Sequence, residues 1–262
     1  MKKVLWTMGF AAAMAATAAM AAPYVMLPDG RKVEGQRIRA LPDGTINLQT
    51  AQGTVSYQKG MYRKAVADRP AELDTALKQV QAKQYDEAIK VLEKIAKDFR
   101  FLDWDVVAQK ELAKALMAKG DGERAVAAFT ELFKNSEEER NNTETQWLMR
   151  KAMLAAKQYS TLTKQLDAVV AGANRDDAAK AQTMRGDVQL AQNNLEPALL
   201  DYLRTATLFD DVRDPAIQAE ACFKAAQVLE KLRDARAKAL YQKVAQDYPS
   251  SPYAKAAAEK AR

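Results

Sequence analysis

The sequence predicts a mainly α-helical protein, an α-solenoid of helix hairpins preceded by a small β module. Three observations carry this. Glycine and proline number only 10 and 8 in 262 residues, against abundant Ala, Leu, Lys, Glu and Gln, a composition that favours helix. A small or medium apolar residue returns in a constant helical setting at intervals of 37, 37, 36 and 39 residues, a period that marks a structural repeat. Ahead of the repeat, period-two alternation of apolar residues is twice broken by Pro-Asp-Gly, a hairpin signature.

Residues 1–21 read as a signal peptide. Lys2 and Lys3 form a positive start, Val4 to Ala18 an apolar stretch, and Ala19-Met20-Ala21 the small-x-small site of a signal peptidase. Cleavage after Ala21 would leave Ala22-Pro23 at the mature start and place the protein in the periplasm. The alternative is an uncleaved N-terminal anchor, because the apolar stretch is just long enough to span a bilayer. After cleavage no stable membrane span is expected, and no cysteine follows the leader to carry a lipid. Loss of the two lysines lowers the formal charge from +6 to about +4, spread among acidic residues, so a nucleic-acid partner is not expected.

Residues 22–60 predict four or five short strands in a meander or small SH3-like barrel. Proline presets φ, Asp bonds its own backbone and Gly accepts positive φ, so Pro28-Asp29-Gly30 and Pro42-Asp43-Gly44 should be hairpin turns, with a third near Gln52-Gly53. Val25, Leu27, Val33, Ile38, Ile46, Leu48, Val55 and Tyr57 compose the expected inner face. So short a module removes little apolar area from water, which leaves it either a structural cap or an adaptor. Residues 61–70 read as a linker or short helix.

Residues 71–262 hold about five helix-hairpin repeats. The second helix of each carries Ala88, Ala125, Leu162, Ala198 or Ala237. Four positions on come Leu92, Phe129, Leu166, Tyr202 and Tyr241, and three further Ile95, Leu132, Val169, Thr205 and Val244, one stripe of a 3.6-residue helix. Thr143-x-x-Gln146 and Ser136-x-x-Glu139 read as capping boxes, and Pro70 is expected just inside the first helix. Pro249 ends the last repeat helix and Ser250-Ser251-Pro252 opens a C-terminal capping helix with a polar outer face, Lys255, Glu259, Lys260 and Arg262. Cys222, the only cysteine, permits no internal disulfide and reads as a small buried residue.

The small residue and the aromatic four later in "GDGERAVAAFTELF", and the aromatic and closing proline in "ALYQKVAQDYP", resemble the tetratricopeptide repeat (TPR) family, as does Gly186 in "TMRGDVQL". The third unit departs with Leu162 and no proline, the fourth with Thr205. "QDYPSSPYAKAA" resembles exported bacterial members, the periplasmic Tol–Pal-associated cell-division coordinator and the outer-membrane assembly lipoprotein. The resemblance implies a scaffold for protein–protein interactions in the bacterial cell envelope, with the first helix of each unit lining a concave groove. Aligned on the repeat, Lys110, Lys114, Met117, Trp147, Lys151, Leu154 and Leu190 line that groove, and a tryptophan beside three lysines suits an extended peptide with acidic groups or a C-terminal carboxylate. The asparagines of the family's two-carboxylate clamp are absent. The other reading makes Trp147 core between units and the lysines a solvated face.

The chain has no histidine and one cysteine, which removes the usual general base and zinc ligands, so neither enzyme activity nor a cofactor is expected. Asp176-Asp177 and Asp210-Asp211 are the remaining candidates for a cell-wall hydrolase, and adjacent residues that point apart suit helix ends better than catalysis. A structural or self-assembling envelope protein, forming a homo-oligomer, is the main alternative to the scaffold.

Overall fold

The computed structural model describes residues 22–262; the expected signal peptide, residues 1–21, lies outside them. The chain divides into two compact units, one running up to Ala115 with Glu131–Glu137, the other formed by Leu116–Thr130 and Glu138–Arg262. The architecture is mainly helical, a solenoid of hairpins preceded by small antiparallel sheets.

In the first unit six strands form two three-stranded antiparallel sheets: β2 (Lys32–Glu34), β1 (Tyr24–Met26), β6 (Lys64–Val66), and β3 (Arg37–Ala40), β4 (Ile46–Thr50), β5 (Gly53–Tyr57), in those orders. Both Pro-Asp-Gly segments are hairpin turns. Gly30 and Gly44 take φ of 86°, and the Asp29 and Asp43 carboxylates accept from the N–H of Arg31 (3.0 Å) and Thr45 (2.9 Å). The segment expected as linker or short helix instead contributes β6, which completes the first sheet. Its Lys64, Ala65 and Val66 alternate half-buried, buried, half-buried, a pattern too short to stand out in the sequence.

Val25, Ile46 and Leu48 are fully buried, and Ala65, Ala67 and Leu102 join their core. Val55 is a correction: it pairs with Leu48 on the inner face yet stays 41% exposed, because β5 is an edge strand. The module closes on helical residues: the Trp104 indole donates to the Ala67 carbonyl (2.8 Å), and Lys64 pairs with Asp103 (2.8 Å). That contact supplies the apolar area the strands lack. Next come α1 (Ala71–Gln81) and α2 (Tyr85–Asp98), packed as a hairpin through Leu73, Ala76, Ala88, Leu92 and Ile95, and then α3 (Trp104–Lys119). Pro70 is the residue before α1 rather than inside it.

The remaining elements are α4 (Gly122–Asn135), α5 (Glu137–Asn141), α6 (Thr143–Ala155), α7 (Tyr159–Gly172), α8 (Arg175–Ala191), α9 (Leu195–Leu208), α10 (Pro215–Lys231), α11 (Arg236–Asp247) and α12 (Ala254–Lys260). Within the second unit each helix from α6 to α12 packs on the next, and α8 also touches α10. Ala125, Leu162, Ala198 and Ala237 are buried, as are Phe129, Leu166, Tyr202 and Tyr241, so the sequence stripe is the core stripe. Thr205 occupies an apolar slot without penalty: its hydroxyl meets that of Thr183 (3.1 Å), and the Gln182 amide donates to the buried Asp201 (2.8 Å). Cys222 is buried, and burial pushes its thiol up. The α6 cap is Asn142, not Thr143; its side chain accepts from the N–H of Thr145 (3.0 Å), while Gln146 donates back to the Arg140 carbonyl (2.8 Å). Glu139 accepts from the Thr145 hydroxyl (2.6 Å).

The turn between the two helices of each hairpin is the same. Lys83, Gly120, Lys157, Asn193 and Arg233 all have left-handed φ, from 57° to 89°. The N–H that follows each bonds five residues back, as in Asp121 to Leu116 (2.9 Å), Gln158 to Met153 (2.9 Å), Asn194 to Gln189 (2.9 Å) and Asp234 to Leu229 (2.9 Å). This is the Schellman closure of a helix C-terminus.

Candidate functional site

A groove of about 620 Å³ lies in the second unit, built from the first helices of three successive hairpins. On α6, Trp147, Lys151 and Leu154 stand at i, i+4 and i+7. On α8, Lys180, Thr183, Met184 and Asp187 repeat the spacing, and on α10 Ile217, Glu220 and Lys224 do so again. Pro252 and Tyr253, just before α12, close one end.

Its walls are held from behind. The Trp147 indole donates to Asp177 (3.0 Å) and the Arg150 guanidinium stacks 4.8 Å from the ring centre. Burial pulls the Arg150 guanidinium below its ordinary value, against the opposing charge of Asp177. On the other side Asp187 accepts from the Tyr202 hydroxyl (2.8 Å) and from Lys224 (2.9 Å), which also pairs with Glu220 (2.6 Å). Burial pulls Lys224 down, but the two carboxylates outweigh it and hold the ammonium above its usual range. Burial, then Asp187, pushes the Tyr202 phenol far up, so it stays a neutral donor. This wall thus keeps one uncompensated carboxylate charge, whereas Lys151 and Lys180 are exposed at the rim.

Of the groove residues expected from sequence, Trp147, Lys151 and Leu154 line this groove together. Leu190 does not: it packs on the Ala198, Tyr202 and Val228 cluster, one helical turn past the lining stripe. Met117 is half-buried in the second unit. Lys110 and Lys114 are half-buried on the part of α3 in the first unit, where Lys114 pairs with Glu111 (2.9 Å). Lys180, Asp187, Glu220, Lys224 and Tyr253 escaped the sequence reading. Carrying the α6 stripe one 36-residue repeat onward reaches Asp187 but not Lys180. A further 39 residues lands on the buried Cys222, Ala226 and Leu229 rather than on Glu220 and Lys224, because unequal connections shift the later helices out of register.

Three of the four aspartates considered for hydrolysis, Asp176, Asp177 and Asp211, are ties between neighbouring hairpins. Arg175 grips Asp211 with both prongs (2.6 and 3.1 Å) and stacks on Phe209 at 4.4 Å. Asp176 accepts from the Arg213 N–H (2.9 Å), and Asp177 holds Trp147. The Arg175 guanidinium keeps the Asp211 carboxyl below the usual range. Asp176, Asp177 and Asp211 thus each hold one hairpin to another, and Cys222 lies in the core. No helix among the described residues is long and apolar enough to cross a membrane.

Residues 220–251 match the family model of the tetratricopeptide repeat. No curated protein matches the chain. Among solved structures, two crystal structures of a Podosopora anserina putative kinesin light chain with nearly identical TPR-like repeats are similar at 16% identity. Their TM-scores are 0.51 and 0.50; each covers 66% of this chain, which in turn covers 91% and 92% of theirs. MamA from Desulfovibrio magneticus RS-1 aligns at 22% identity and a TM-score of 0.48, over 68% of this chain and 94% of that one. The helical region has a TPR-like fold, and residues 220–251 are the unit whose sequence matches the tetratricopeptide repeat family.

Proposed function

We infer that the chain is a non-catalytic interaction scaffold that holds an extended protein segment in the α6–α8–α10 groove, in the envelope of a Gram-negative bacterium. A TPR-like fold is an interaction scaffold in general terms. The observation that carries the reading for this chain is the pinned Trp147, set beside Leu154, Met184 and Ile217 and flanked by the exposed Lys151 and Lys180. A rigid aromatic anchor in a groove gives affinity at low entropic cost, and two free cations favour a segment with an acidic or C-terminal carboxylate. The envelope location rests on the leader: Lys2, Lys3, the apolar run and Ala19-Met20-Ala21.

A photoreactive residue placed at Lys151 tests this in intact cells, with Lys164, exposed on α7, as the control position. Adducts to an envelope protein from position 151 and not 164, lost in Lys180→Glu, are expected. Equal adducts from both positions, or adducts only to cytoplasmic proteins, would refute the reading.

A further inference from the structure

The sheet β3–β4–β5 ends on a strand unlike the other free edges. β2 carries Lys32 and Glu34, β3 carries Arg37 and Arg39, and β6 carries Lys64, charges that discourage a further strand. β5 reads Gly53-Thr54-Val55-Ser56-Tyr57, without charge or proline, and its first four residues are exposed. Among the described residues it pairs with β4 alone.

The register says which of its backbone groups are free. The Leu41 N–H bonds the Thr45 carbonyl (2.8 Å) across the β3–β4 turn, so with strict alternation Asn47 and Gln49 face β3 while Ile46, Leu48 and Thr50 face β5. Their partners Tyr57, Val55 and Gly53 therefore spend their amides on β4. Thr54 and Ser56 direct N–H and C=O outward.

We propose that β5 docks a second copy of this chain, strand to strand and antiparallel, centred on Val55. The flanking sequence is self-complementary about that residue. Pairing sets Thr54 opposite Ser56, where both hydrogen bonds are exchanged, Gly53 opposite Tyr57, which leaves room for the ring, and Gln52 opposite Gln58. No like charges meet; Lys59, the nearest, falls opposite Ala51. Val55 meets Val55 and loses its 41% exposure beside the buried Leu48, so the two inner faces become one. A strand with neither charge nor pocket offers a foreign segment little to select it, whereas its own copy matches it at every position. The product is a closed two-fold pair rather than a filament, because the same edge is used on both sides.

The Val55–Val55 pair is of the non-hydrogen-bonded kind, with Cα atoms about 4.5 Å apart, inside the reach of a disulfide at roughly 4.4–6.8 Å. The test is the mass of the purified chain against concentration, with mild oxidation of Val55→Cys and Thr54→Cys variants. The proposal expects a dimer whose dissociation constant rises at least tenfold in Thr54→Pro and in Val55→Lys, far-UV circular dichroism being unchanged. It expects a linked dimer from the cysteine at 55 and not from that at 54. A single-chain mass at every concentration, a dimer that survives both variants, or equal linking from both cysteines would overturn it.

Discussion

The ring of Tyr202 lies directly on the backbone of Gly186: a Cβ at Gly186 would stand 2.4 Å from Tyr202 Cε1 and 2.6 Å from Cδ1. Tyr202 is fully buried and tied by its hydroxyl to Asp187, so the ring has nowhere to swing. The contact is what lets α8 and α9 close up. Gly186→Ala should therefore destabilise by about 1–3 kcal/mol through overpacking, despite the roughly 1 kcal/mol that alanine gains over glycine inside a helix. Gly172→Ala, where nothing lies within 4 Å, should be neutral or slightly stabilising. Urea denaturation of the two variants, compared by midpoint at equal slope, separates them.

The hairpin turns lead to a second expectation. Lys83, Lys157, Asn193 and Arg233 hold the left-handed conformation that only Gly120 holds without a Cβ penalty. Lys157 is exposed and its side chain enters none of the core clusters. Lys157→Gly should stabilise by about 0.5–1 kcal/mol, the relief exceeding glycine's greater loss of chain entropy. Gly120→Ala should cost about 1 kcal/mol for the same reason reversed. A fall in the denaturation midpoint for Lys157→Gly would show that the turn carries no such strain.

These turns also show where the sequence was legible. The buried stripe could be read because apolar residues at i, i+4 and i+7 must face a neighbour, and all of Ala88, Ala125, Leu162, Ala198 and Ala237 do so. The turn repeat stayed hidden because left-handed φ is forced by the closure of the helix and is met by Lys, Asn and Arg as well as Gly. Strand β6 was missed because its pairing with β1 is tertiary, with no local turn to announce it. The groove was half legible. Trp147, Lys151 and Leu154 follow from periodicity, whereas Leu190 was placed one turn too far along α8. Of the two ties that fix Trp147, Arg150 stacks from the same helix at i+3, whereas the bond to Asp177 joins α6 to α8 by a contact no spacing encodes.

A last expectation concerns an acid the groove does not use. Asp105, only 2% exposed in the first turn of α3, accepts from the Phe101 N–H through Oδ2 (3.0 Å), while Oδ1 has no hydrogen-bond partner. One turn on, Gln109 is 8% exposed and its Oε1 is likewise unpartnered. Burial pushes the Asp105 carboxyl above its ordinary value, against the pull of the Phe101 N–H. The folded chain thus binds this proton more tightly than the unfolded chain, so stability is lost as pH rises from the unfolded value of 3.8 through the raised one. Asp105→Asn keeps an oxygen for Phe101 and presents an amide to Gln109, its i+4 neighbour. The variant should be more stable than the parent at neutral pH, by on the order of 1 kcal/mol, with the advantage vanishing near pH 3. Thermal or urea denaturation at both pH values checks it: an equal change at the two would mean that the carboxyl's charge is not the cause.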